Sequence, residues 1–276
     1  MKTSQHTALC GILLHPAGHT RSPAMHGAAY ALLGLDAAYL AFDVPPDGLE
    51  AAVAGLRALG ARQLSVSIPH KETILSLLDA VDDTAQAIGA VNTVVLRDGR
   101  LLGSNTDWLG AVHALEQRGS LAGRRAVVLG AGGTARAVAY GLALRGASVR
   151  VLNRTVSRAE ALAAELELAG SGPIEALAEL DHDILVNTTS VGLDSNHSPV
   201  DLGWLRKDST VLDAVYSPER TRLLQDAAAR GAHPISGKWM LIHQAVAQLE
   251  AWTAPIDAAQ RATLTTTMAN AFDTAG

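Results

Sequence analysis

Gly130, Gly132 and Gly133 follow a stretch that reads as a buried strand, Arg124 to Leu129, and precede a helical pattern from Arg136 to Leu144. Glycine lets a backbone approach a pyrophosphate, and the N-terminus of the next helix offers it unpaired N–H groups. Ala131, Thr134 and Ala135 complete the turn. Ala135 replaces the third glycine of a dinucleotide fingerprint and is small enough for close helix–sheet packing. The following apolar run, Ser148 to Leu152, ends in Asn153-Arg154-Thr155, with Arg158 just beyond. A site for NAD places Asp or Glu at this tip to bind the ribose 2′-hydroxyl. Here no acid is present, and Arg154 with Arg158 can grip a 2′-phosphate instead. Basic residues at a helix start oppose its dipole, and a bound anion offsets that. The pattern predicts NADP(H).

Four polar motifs lie at expected strand ends before this unit, where open α/β sheets build sites. They are Gly18-His19-Thr20-Arg21-Ser22-Pro23, Ser65-Val66-Ser67-Ile68-Pro69-His70-Lys71, Ala90-Val91-Asn92-Thr93 and Gly103-Ser104-Asn105-Thr106-Asp107. Thr20 and Ser22 offer two hydroxyls to a carboxylate beside a helix start. Strand alternation sends Ser65 and Ser67 to one face, and Lys71 lies just past that strand. Asn92 can both donate to and accept from a hydroxyl. Singly, each has a plainer role: Ser22 caps a helix, Lys71 is solvated, and Asp107 partners a helix dipole. Together, ahead of a nucleotide unit, they outline a site for an alcohol or ketone.

The elements that must hold these residues alternate strand and helix. Strands are expected at 8–14, 37–42, 63–68 and 91–97, with helices at 22–33, from 47 or 48 to 59, and 71–78. Asp98-Gly99 predicts a hairpin turn to a strand at 100–103. A helix from 106 to 118 leads into the second domain, whose later strands are 183–187 and 210–214. Helices at 239–252 and 257–272 close the chain. The fold class is α/β in two domains. Residues 1–106 form a mostly parallel α/β domain completed by helices in 238–276, and 107–237 form the nucleotide-binding domain.

Composition sets outer bounds. Apolar residues make up 48% and aromatics only 4%, so Ala, Leu and Val must build the cores. A net charge of −5 argues against a nucleic-acid partner. No apolar run is long enough for a membrane helix and no secretory leader is read. The lone cysteine, Cys10, sits in an apolar strand and is expected as a buried thiol. His15 and His19 have no third ligand at a metal-binding spacing, and His70 is expected at the surface. A cytoplasmic enzyme, monomeric or homodimeric, fits these features.

In order and over nearly its whole length, the chain resembles the shikimate/quinate dehydrogenase family. Gly18–Pro23 is similar to its Ser-x-Ser-Pro carboxylate motif, with Thr20 for the first Ser. Ser65–Lys71 resembles Asn-Val-Thr-x-Pro-x-Lys; 90–93 and 105–107 match Ala-Val-Asn-Thr and Asn-Thr-Asp. Gly130–Arg136, Asn153–Arg158 and Asn187-Thr188-Thr189 resemble the family's cofactor segments. Asp213–Tyr216 and Gly237-x-x-Met240-Leu241-x-x-Gln244 resemble its closing motifs.

The resemblance implies a Rossmann-type NADP domain and reversible, NADP-dependent reduction of 3-dehydroshikimate to shikimate, a step towards chorismate and the aromatic amino acids. It implies Lys71 and Asp107 as the catalytic pair, with Asp107 holding Lys71. Substrate would meet Thr20, Ser22, Ser67, Asn92, Tyr216 and Gln244. Thr188, Gly237 and Met240 would join the glycine loop and the Asn153–Arg158 segment at the cofactor, with no metal. Quinate or another cyclitol acid is the alternative substrate, and a non-catalytic NADP(H) sensor the alternative role. Ser65 replaces an amide that the family uses near its substrate. Trp108 and Trp239 replace glycines, and either reshape the pocket or pack on apolar surface elsewhere.

Overall fold

The computed structural model describes residues 3–18, 20–193 and 195–275. They divide into two compact units, 1–106 with 244–276, and 107–243. The sequence places the return to the first unit at 238, whereas the division falls inside one continuous helix.

The first unit begins β1 (Ala8–Leu14), α1 (Ser22–Leu33), β2 (Ala37–Asp43), α2 (Leu49–Ala58) and β3 (Gln63–Val66). It continues with β4 (Ala80–Val81), α3 (Asp83–Ile88), β5 (Thr93–Arg97) and β6 (Arg100–Ser104). Its sheet has the order β2-β1-β3-β5-β6-β4. β1 pairs in parallel with both β2 and β3, while β5 runs antiparallel to β3 and β6. Asp98 and Gly99 both have positive φ, 52° and 74°, so the β5–β6 hairpin turns as Asp-Gly predicts. Leu13, Val66, Val91, Val94 and Leu101 meet Val53 and Leu56 of α2 in its core.

The second unit contains α4 (Asp107–Glu116), β7 (Arg125–Leu129), α5 (Gly133–Leu144), β8 (Ser148–Leu152), α6 (Val156–Glu165) and β9 (Gly170–Gly172). It ends with β10 (Ile184–Asn187), β11 (Thr210–Asp213), α7 (Arg222–Ala229) and β12 (His233–Ser236). Its sheet, β12-β11-β10-β7-β8-β9, is parallel throughout. Along β7, Ala126 and Val128 face one core and Val127 and Leu129 the other. A parallel sheet covered on both faces has this near-continuous apolar strand. α8 (Gly237–Trp252) bridges the division, and α9 (Ala258–Thr274) packs against α1. The side chain of Asp257 caps α9 in a reciprocal box with Gln260.

Two local expectations fail. The helix expected at 71–78 is a single tight turn over Thr73–Leu77, because Asp79 N–H bonds to Leu101 O at 3.0 Å and draws the chain onto β6. The helix expected from 47 or 48 is present, with Gly48 at its cap after a short turn over Pro46–Gly48. Ser22 does not cap α1. Arg21 holds the cap position, and Ser22 N–H bonds to Thr20 Oγ1 at 3.3 Å.

Candidate active site

In the first unit three polar motifs converge on Asn92. Its backbone N–H bonds to Ser104 O at 3.1 Å and its carbonyl accepts from Val66 N–H at 2.8 Å. The side-chain Oδ1 accepts from Thr106 N–H and from Thr93 Oγ1, both at 2.8 Å. Nδ2 reaches Thr106 Oγ1 at 3.1 Å and Gln244 Oε1 at 3.2 Å. Thr106 Oγ1 also donates to the carbonyl of Gln244 at 3.1 Å. Asn105 Nδ2 ties the strand end to Ala90 O at 2.8 Å. Lys71 joins the same hub through its main chain, whose carbonyl accepts from Val91 N–H at 2.8 Å. Lys71 itself is half-buried. Asn92, Thr106 and Gln244 are buried, so each bond replaces one the group would make to water.

Thr106 and Gln248 were missed as members of this hub. Gln248 is buried and donates Nε2 to Asn92 O at 3.1 Å. Its signal was available: it lies four residues after Gln244, on the same helix face. Ser67 anchors its strand end through N–H to Leu13 O at 2.9 Å. Ser22 is buried and Thr20 half-buried. His70 is not at the surface. It is buried, with Nε2 2.8 Å from the Val44 carbonyl. That oxygen can only accept, so Nε2 carries the proton, and a buried carbonyl gains the partner it needs. Cys10 is buried as expected, and burial pushes its thiol up.

Asp107 is the first residue of α4 in the second unit, and buried. Beyond it the glycine turn has the geometry of a phosphate cradle. Gly130 has φ 110°, and its N–H bonds to Leu152 O at 2.8 Å. A Cβ there would lie 2.6 Å from Thr188 Oγ1. Thr188 in turn clamps the end of β7, donating N–H and Oγ1 to Leu129 O at 2.9 and 2.6 Å. Gly132 caps α5 without any side-chain bond, and the first turn holds no acid. A helix start of this kind suits an anion.

At the tip of β8, Asn153 Nδ2 bonds to Thr155 O at 2.9 Å and shapes the turn into α6. Arg154, Thr155 and Arg158 are exposed. Neither arginine enters an ion pair among the described residues. The uncapped helix start and two acid-free guanidiniums fit a dinucleotide with an extra phosphate.

At the ends of β10 and β11, the fully buried Asp213 accepts from Asn187 Nδ2 at 2.8 Å, Thr221 Oγ1 at 2.6 Å and Val215 N–H at 3.1 Å. Burial pushes its carboxyl up to about 6, against the pull of these three donors. Asn187 Oδ1 accepts from Thr189 N–H and Oγ1, which fixes the loop beside Thr188. Gly237 starts α8 where a Cβ would stand 2.5 Å from Asp213 O and 2.7 Å from Ala214 O. Met240 is buried with Ala135, Val186 and Leu212. Tyr216 is half-buried in this unit.

The tryptophans divide. Trp108 packs on α5, where its Cβ lies 3.1 Å from the place a Cβ on Gly141 would take, and its ring meets Tyr140 edge-on at 6.1 Å. Trp239 is exposed, with Lys238 Nζ 5.5 Å from its ring centre. His19 lies outside the described residues, and His15 pairs with Asp43 at 2.7 Å. No group of metal-binding side chains occurs among the described residues. No described helix is long and apolar enough to cross a membrane.

Residues 12–94 match the family model for a shikimate dehydrogenase substrate binding domain, and 113–192 the model for shikimate / quinate 5-dehydrogenase. The NADP(+) shikimate dehydrogenase of Haloarcula marismortui is 48% identical over 254 residues, covering 90% of this chain and 95% of that protein. Shikimate 5-dehydrogenase from Thermus thermophilus, solved with NADP(H) and shikimate, is 39% identical with a TM-score of 0.88. That match covers 98% of this chain and 100% of that one. The 5-ketofructose reductase of Gluconobacter sp. strain CHM43 is 37% identical with a TM-score of 0.84, covering 99% and 100%.

Proposed function

We propose the reaction that follows from one premise: this chain belongs to the shikimate dehydrogenase family. The chain catalyses reversible, NADP-dependent reduction of 3-dehydroshikimate to shikimate in the cytoplasm. The observation that carries this reading is the hub in which Asn92, Thr106 and Gln244 are bonded together one residue from the main-chain partner of Lys71.

When bound, NADP(H) supplies or takes up the hydride. This chain's residues do the rest. Hydride delivery to a carbonyl carbon builds negative charge on its oxygen, and Lys71 donates the proton that quenches it. Asp107 is the second catalytic group. Thr20 and Ser22 hold the substrate carboxylate with their hydroxyls. Ser67, Asn92, Tyr216 and Gln244 orient the ring hydroxyls, which converts binding energy into a reactive geometry. The N–H groups leading α5, between Gly132 and Ala135, take the pyrophosphate, and Arg154 with Arg158 the 2′-phosphate. Thr188, Gly237 and Met240 border the cofactor.

The test is reduction of NADP+ and of NAD+ with shikimate and with quinate as separate substrates. Shikimate with NADP+ should give the highest kcat/KM. Arg154→Ala should raise KM for NADP+ about tenfold, the scale of one charge-assisted phosphate contact, and leave KM for NAD+ unchanged. A quinate preference would overturn the substrate, and an equal loss with both cofactors would overturn the phosphate grip.

A further inference from the structure

Ser65 carries an unusual load for one hydroxyl. Its Oγ accepts from Tyr39 O–H at 2.6 Å and from Gln63 Nε2 at 3.2 Å, and it donates to Gln248 Oε1 at 2.8 Å. A serine hydroxyl has one proton and two lone pairs, so all three capacities are taken. All four side chains are buried. Tyr30 O–H holds Gln63 from the far side at 3.3 Å. The Tyr39 ring stacks on His26 with centroids 4.1 Å apart and planes 3° from parallel, which fixes where its hydroxyl points. The His26 ring nitrogens make no hydrogen bond of good geometry. Burial holds that imidazole neutral, its pKa lowered to about 3, against an opposing contact with Gln248. Gln248 passes the order onward: Oε1 is fixed by Ser65, and Nε2 binds the carbonyl of Asn92 at 3.1 Å.

We propose that Tyr39, Ser65 and Gln248 form a positioning relay that sets the geometry of Asn92 and Gln244, and that the Ser65 side chain makes no contact with substrate. The relay rests on the reading of Asn92 and Gln244 as substrate ligands. It fixes Asn92 from behind, at the main chain, while Thr106 and Gln244 fix its amide. It also fixes α8, because Gln244 and Gln248 sit one turn apart on one face. Ser65 is thus a positioning residue, and the specificity of this pocket comes from amides held by a neutral, fully paired network. Such a network favours one arrangement because any slip leaves a buried polar group unpaired.

Tyr39→Phe removes one O–H and keeps the stacked ring. It should raise KM for shikimate about fivefold, the scale of one lost neutral hydrogen bond, with kcat and KM for NADP+ within about twofold. Gln248→Met, of similar volume, breaks both ends of the relay and should raise KM for shikimate further. Gln248→Glu supplies a signature that simple loosening lacks. Burial keeps a carboxyl neutral to higher pH, and only the neutral form can donate to Asn92 O. Its KM defect should therefore shrink as pH falls.

The side-chain amide NMR signals of Asn92 and Gln244 read the relay without turnover, and should shift in Tyr39→Phe. Shifted signals with an unchanged KM for shikimate would support the relay and remove Asn92 and Gln244 from the substrate site. Unmoved signals with an unchanged KM would overturn the relay alone. An equal rise in KM for NADP+ would also overturn it, by marking general loosening.

Discussion

The two units hold their polar residues by opposite means. In the first, the hub at Asn92 is made of neutral side chains brought from distant parts of the chain: Tyr39, Ser65, Thr106, Gln244 and Gln248. In the second, the proposed phosphate cradle is backbone. A glycine at φ 110°, an uncapped helix start and a threonine clamping a carbonyl make it within a few residues of two strand ends. In the proposed function the backbone cradle serves a ligand part common to many proteins, so local geometry is enough. On the proposed reading, the side-chain hub matches one small polyol, and its specificity then comes from where amides and hydroxyls are held.

That contrast can be broken by substitution, starting with the largest effect. Lys71→Ala removes the only proposed proton donor of the first unit. It should lower kcat by about two to four powers of ten, with KM for NADP+ unchanged, in steady-state assays. Near-normal turnover would remove Lys71 from the mechanism. Gly130→Ala attacks the backbone device. It forces a non-glycine residue to φ 110° and sets a Cβ 2.6 Å from Thr188 Oγ1. A loss of about 2–4 kcal/mol in stability is expected, with KM for NADP+ raised more than KM for shikimate. An unchanged melting temperature and NADP+ affinity would show that the turn is not constrained as described.

The smallest effect separates the units by charge. Asp213 is a carboxyl buried among neutral groups, a feature the Asn92 hub lacks. Its folded pKa of about 6 lies above the ordinary carboxylate range. The folded state therefore holds its proton more tightly than the unfolded chain does. This stabilisation is complete below about pH 4 and is lost as pH rises through about 6, amounting to about 3 kcal/mol at most. Denaturant titrations of Asp213→Asn should lack that part of the pH dependence, whatever constant offset the new amide adds. An identical pH profile for variant and parent would assign the titration elsewhere.

The legibility of the molecule follows the same division. The glycine loop, the basic tip of β8 and the Asp98-Gly99 hairpin were readable because each is a short-range constraint on φ, charge or capping. The tight turn after Lys71 was not, since a bond from Asp79 to Leu101 on β6 overrides a helical pattern. His70 was misplaced at the surface because only the fold brings the Val44 carbonyl to it. Ser65 read only as the loss of an amide that the family uses near its substrate, whereas its hydroxyl is wholly spent on Tyr39, Gln63 and Gln248. Trp108 was ambiguous until α5 supplied Tyr140 and Gly141 as its neighbours.

The amino-acid sequence by itself determined the α/β class, the nucleotide turn, the absence of an acid at the β8 tip and the order of the polar motifs. Residues within one turn or strand of each other set these properties, so no distant contact is needed. Only the tertiary structure decided which hydroxyls and amides are already occupied by one another. Hydrogen-bond capacity is finite, and a buried group's remaining valence depends on partners that the chain brings from far along its length.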